Sequence, residues 1–83
     1  MEDGSILRKI FGLTGRETQV AELLASGASN AEIAERLVLS VETVRTHVAH
    51  VLQKMRIRSR HQVGNVWEAA RRTSAAKDHP PGD

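Results

Sequence analysis

Three times in this chain a serine or threonine is followed three residues later by glutamate or glutamine: Thr14 with Glu17, Ser29 with Glu32, and Ser59 with Gln62. That spacing is the capping box. The hydroxyl accepts from the backbone amide at N3, and the N3 side chain reaches back to the amide of the cap. Each box marks where a helix starts. Ser40 marks a fourth start, but its N3 position is Thr43. The reciprocal half of that box is missing, which leaves the first-turn side chain available for other use. Starts this closely spaced leave room only for short helices joined by tight turns. Nothing in the chain alternates with the period of two that a half-buried strand needs. The fold class is therefore all-α, a four-helix arrangement.

The interiors agree with the starts. The first helix, about Gly15–Ser26, puts Val20, Leu23 and Leu24 on one face, and Gly27 supplies a left-handed stop. The second, about Asn30–Leu37, buries Ile33, Ala34 and Leu37. Only Val38, Leu39 and Ser40 connect it to the third, so the chain must turn sharply. The third, about Val41–Met55, gathers Val41, Val44, Val48, Val51, Leu52 and Met55 into a stripe roughly 100° wide. The fourth, about Arg60–Arg72, repeats the pattern with Val63, Val66, Trp67 and Ala70. Residues 13–73 thus form the domain. Residues 1–12 are a flexible or short helical lead, where Ile6, Leu7, Ile10 and Phe11 are able to form one turn. Residues 74–83 read as a disordered tail, small, polar and proline-bearing.

At 83 residues this is one small domain, and such chains bury only about 60% of their unfolded surface. One Phe, one Trp and no Tyr argue against an aromatic platform for single strands. The absence of cysteine excludes disulfide staples and thiolate metal sites. No apolar run approaches the roughly 20 residues that span a bilayer, and no signal-peptide pattern opens the chain. A cytoplasmic location is expected.

Charge is distributed unevenly. Residues 2–42 carry seven acids and four bases, and residues 68–83 carry three of each. Between them, from Thr43 to Trp67, stand five Arg or Lys, three His and no acid. The net charge of +2 therefore hides a concentrated basic block on the third helix and just beyond it. Two short helices joined by a tight turn, the second longer and basic, make a helix-turn-helix. A helix fits the major groove of B-DNA, and bases gain affinity by releasing counterions from phosphates. An acid on that face would meet the phosphates repulsively.

The run LTGRETQVAELLASGASNAEIAERLVLSVETVRTHVAHVLQKMRIRSR, Leu13 to Arg60, resembles the LuxR/FixJ-type (GerE-like) DNA-binding domain of bacterial transcription regulators. The pieces LTGRE, GASNAEIAERL, SVETVRTHV and KMRIRSR carry the likeness together; any one alone would be weak. The resemblance implies a four-helix LuxR-type bundle, a third helix in the major groove of double-stranded DNA, and often a homodimer through the fourth helix. RNA polymerase would be a further partner.

On the third helix, the face opposite the apolar stripe holds Glu42, Thr43, Thr46, Ala49, His50, Gln53 and Lys54, with Arg45 at one border. Arg45 can pair bidentately with guanine O6 and N7, unless it merely lies along the core edge. Thr46 can touch a thymine methyl, and Ala49 completes the base-facing set. Similar domains often carry a larger or charged residue where Ala49 stands, so readout there is poorer. Thr43 and His47 match the family's TVxxH segment, whose polar members approach phosphates. The plainer roles are a weak cap bond for Thr43 and half-buried packing for His47. Lys54 suits a phosphate and also the negative end of the helix dipole. Arg58 lies just beyond, with Arg56 and Arg60. Ser29 and Asn30 resemble the family's backbone-docking corner. Glu17 is a cap first, with Arg36 or Arg16 as candidate charge partners.

A dimer surface is expected on the fourth helix: His61, Gly64, Glu68 and Arg71 beside the apolar stripe, with Trp67 bridging core and interface. Gly64 in mid-helix costs about 1 kcal/mol relative to alanine, which a closely approaching backbone would explain. Catalysis is not expected. No glycine-rich phosphate loop, nucleophile elbow or carboxylate pair appears. His47 and His50 lack further metal ligands nearby, so neither metal nor cofactor is implied. Two other classes compete with a DNA-binding regulator: a promoter-binding module like region 4 of a sigma factor, sharing the LTxRE opening, and a protein-interaction bundle whose basic residues serve only solubility.

Overall fold

The computed structural model describes residues 8–78. After one helical turn at 8–11 come α1 (Gly15–Ala25), α2 (Asn30–Leu37), α3 (Val41–Met55), a 3₁₀ turn (Arg60–Gln62) and α4 (Val63–Asp78). No strand occurs among the described residues. The architecture is an all-α bundle in which α2 and α3 form a helix-turn-helix, as the resemblance implies.

The first three starts are as the sequence dictates. Thr14 and Ser29 each accept from the N3 amide, and Glu17 and Glu32 reach back to the cap amides at 3.0 and 2.8 Å. The third box, Ser59 with Gln62, opens a 3₁₀ turn, and α4 proper begins only at Val63. Helical structure then continues to Asp78, past the start of the tail expected at 74. Residues 79–83 and 1–7 lie outside the described residues.

Three helices end alike. At the close of α1, Gly27 (φ 90°) is left-handed, Gly27 N donates to Leu24 O and Ala28 N to Leu23 O. That is the Schellman pattern. The same long bond recurs from Leu39 N to Ala34 O after α2 and from Ile57 N to Leu52 O after α3. In those two turns the left-handed residue is Val38 (φ 57°) and Arg56 (φ 60°). Leu39 and Ile57, the residues that follow, fold back onto the core.

α3 packs chiefly on α1 and then on α2, while α4 closes the other side of α1. Val20, Ala21, Ile33, Val44, Val51 and Val63 are fully buried, joined by Leu13, Leu24, Ala34, Val48, Met55 and Trp67. Val41, expected in the buried stripe, is 39% exposed. It occupies the first position of α3, beside the exposed Val38, where no described element covers it. Among the described residues, no helix is long and apolar enough to cross a membrane.

Candidate nucleic-acid interface

With Val44, Val48, Val51 and Met55 turned into the core, α3 presents Glu42, Arg45, Thr46, Ala49, His50 and Gln53 outward, all exposed. The tight turn at Val38 leads into this helix, whose first three residues are all exposed. Ser40 accepts from Thr43 N at 3.0 Å and donates to Thr43 Oγ1 at 2.9 Å. The threonine's own hydroxyl proton therefore points away from the cap. Thr46 is exposed, and its hydroxyl donates to Glu42 O at 3.3 Å.

His47 sits at the edge of this face, half-buried. Its Nδ1 is enclosed and meets no hydrogen-bond partner among the described residues. An enclosed N–H without an acceptor is rarer than an enclosed lone pair. In the neutral ring the proton thus belongs on Nε2, the other nitrogen.

Lys54 departs from expectation. Its ammonium is turned inward, donating to Glu17 Oε1 at 2.7 Å and to Gly12 O at 3.1 Å. Glu17 is therefore the hub where α1 meets the last turns of α3. Its side chain is only 6% exposed, and its second oxygen lies 3.5 Å from His50 Nδ1. Neither Arg16 nor Arg36 is its partner. Burial opposes ionisation of this carboxyl. The hydrogen bond from Lys54, the Thr14 amide and the charges of Lys54 and His50 together outweigh burial and hold its pKa below the usual value. Sequence position suggested a cap with a nearby arginine as charge partner and did not point to Lys54; the two residues are 37 apart along the chain.

Arg60 was equally illegible. Its guanidinium donates to Asn30 Oδ1 at 2.6 Å and to Ala28 O at 3.0 Å, tying the 3₁₀ turn to the front of α2. Asn30 uses its carbonyl oxygen in this bond and not its amide N–H₂. Ser29 accepts from Glu32 N at 3.1 Å as a cap, with its hydroxyl proton uncommitted by that bond. Arg56 and Arg58 are exposed beyond the end of α3. Arg45, Thr46 and Ala49 thus stand together, with Thr43 and His47 beside them on α3.

The expected dimer strip changes most. A Cβ on Gly64 would lie 3.4 Å from Ala25 O and 3.9 Å from Ala25 Cα. A backbone does approach this glycine, but it is that of α1 in the same chain. Trp67 is 7% exposed and belongs to the core. His61 and Glu68 are exposed, and the Arg71 side chain lies outside the described residues.

The family model described as "Bacterial regulatory proteins, luxR family" matches residues 12–66. The chain is 48% identical over 62 residues to Mb0914c of Mycobacterium bovis, covering 75% of the chain and 7% of that protein. It is 42% identical over 60 residues to the nitrate/nitrite response regulator protein NarL of Escherichia coli (72% of the chain, 27% of NarL). Against the oxygen regulatory protein NreC of Staphylococcus carnosus it is 41% identical over 51 residues (61% of the chain, 24% of NreC). The chain therefore spans about a quarter or less of the length of these relatives. No solved structure matches it significantly.

Proposed function

The chain belongs to the luxR family of bacterial regulatory proteins, and from that premise we propose that it is a sequence-specific, double-stranded-DNA-binding transcription regulator of the bacterial cytoplasm. α3 lies in the major groove. The observation that carries this is the outward face of α3: Arg45, Thr46 and Ala49 exposed together, on a helix whose opposite face is locked into the core. A groove-reading helix must be held rigidly and have its outer face free.

Arg45 reads guanine. Thr46 offers its methyl to thymine, and Ala49 permits close approach. Thr43 and His47 donate to phosphates through the hydroxyl proton and Nε2–H, Asn30 through its amide and Ser29 through its hydroxyl, while Arg58 adds charge. Lys54 serves the fold instead. A single module of this size makes few phosphate contacts, so tight binding requires two copies on a two-fold site. The exposed His61 and Glu68 side of α4 is where they would meet.

Gel shifts on genomic fragments at low and high salt test the function. Affinity must fall steeply as salt rises; binding that ignores salt would remove DNA as the partner. Arg45→Ala is expected to lose about 1–3 kcal/mol on the preferred site and to relax the choice at one base pair. Weakening without any change in preference would make Arg45 a phosphate contact.

A further inference from the structure

At Thr14, Ser29 and Ser59 the Glu or Gln that follows stands at N3 and bonds back to the cap amide. α3 departs from this. Its one acid, Glu42, is shifted to N2, and Ser40 bonds Thr43 in its place. The Glu42 side chain is exposed, and the two α3 side chains seen facing an acid, His50 and Lys54, both go to Glu17. Arg45, three residues on, is exposed as well. The line Glu42, Thr46, Ala49 and Gln53 runs along the helix directly opposite the buried line Val44, Val48, Val51 and Met55. Thr46 and Ala49 are short. Over the first two turns, therefore, the side chains that reach furthest from this face are Glu42 and Arg45.

An acid there is costly for a helix that must approach phosphates, unless it meets a donor on the bases. A carboxylate only accepts. In the major groove the donors are cytosine N4–H₂ and adenine N6–H₂, and adenine places the N7 acceptor beside its amino group. Guanine O6 and thymine O4 would set acceptor against acceptor. We infer that Glu42 is a second base reader of α3, accepting from the N4 amino group of a cytosine close to the guanine taken by Arg45. It contributes specificity by exclusion, since its charge weakens binding to every other sequence.

This rests on α3 being the reading helix, and one experiment separates the two claims. The 83-residue chain and its Glu42→Gln, Glu42→Ala and Arg45→Ala variants are put through binding-site selection on randomised duplexes. Affinities are then measured on the selected site and on unrelated DNA. Glu42→Gln retains the length but pairs with adenine N6 and N7, so the preference at one position is expected to move from cytosine to adenine. Glu42→Ala loses that preference, with discrimination falling about tenfold. Both variants bind unrelated DNA more tightly than the parent. If Arg45→Ala changes one base pair while both Glu42 variants select the parental sequence with uniformly raised affinity, Glu42 is only a first-turn acid and the inference fails alone. If none of the variants alters any base, α3 is not the reader and both claims fall.

Discussion

In the left-handed conformation the Cβ of an L-residue crowds its own carbonyl, at roughly 1–2 kcal/mol. Branching at Cβ adds to the crowding. Val38 holds φ 57° and ψ 53° at the close of α2 while 87% exposed, so it gains almost nothing from burial in exchange. Gly27 fills the equivalent place after α1 without that penalty. Val38→Gly is therefore expected to stabilise the domain by about 0.5–1 kcal/mol, the relief of strain exceeding the extra freedom glycine gives the unfolded chain. The urea midpoint should rise with an unchanged slope. A midpoint that stays put or falls would mean the turn tolerates valine without strain. Nothing in the local sequence flags this position; the short Val38-Leu39-Ser40 link foretells a sharp turn, but not which residue carries the positive φ.

At the scale of elements, the capping boxes made the helix starts legible, because a cap is a bond between residues three apart. The bounds of α2 and α3 follow from periodicity and their starts. The end of α4 did not, since small polar residues are weak evidence against a helix, and 74–78 continue it. The bonds that orient elements were hidden for a different reason. Glu17 with Lys54 and Arg60 with Asn30 join residues 37 and 30 positions apart, and only the packing of α1 on α3 and of the 3₁₀ turn on α2 brings them together. Gly64 shows the same limit: its close neighbour was foreseeable, but its identity as Ala25 was not. Of the basic run after α3, Arg60 is half-buried and doubly bonded, whereas Arg58 is exposed. Arg60→Ala should lower stability by about 1–2 kcal/mol by leaving Ala28 O and Asn30 Oδ1 unsatisfied. Arg58→Ala should leave stability within about 0.5 kcal/mol and flatten the salt dependence of DNA binding by about one unit. Thermal unfolding and salt titration of the two variants must diverge in this way; equal loss of stability would erase the distinction.

For the molecule as a whole, the Glu17 hub makes stability depend on acid in a definite direction. The folded carboxyl has a pKa below its ordinary value of 4.5, because Lys54, the Thr14 amide and His50 favour the charged form despite burial. A carboxyl depressed on folding contributes stability that is complete above the unfolded pKa and lost as pH falls through the folded one. The hub joins the first turn of α1 to the end of α3, so its loss loosens the seating of all of α3 and not one side chain. At neutral pH, Glu17→Gln should cost about 2 kcal/mol, less than a fully buried pair because Lys54 is 35% exposed to solvent. Denaturant unfolding of parent and variant across a pH series isolates this group from the other acids. The gap between them should hold steady above about pH 5 and narrow progressively as pH drops below 4.5. A gap that persists undiminished into strong acid would show that shape and the cap bond, not the charge on Glu17, hold α1 against α3.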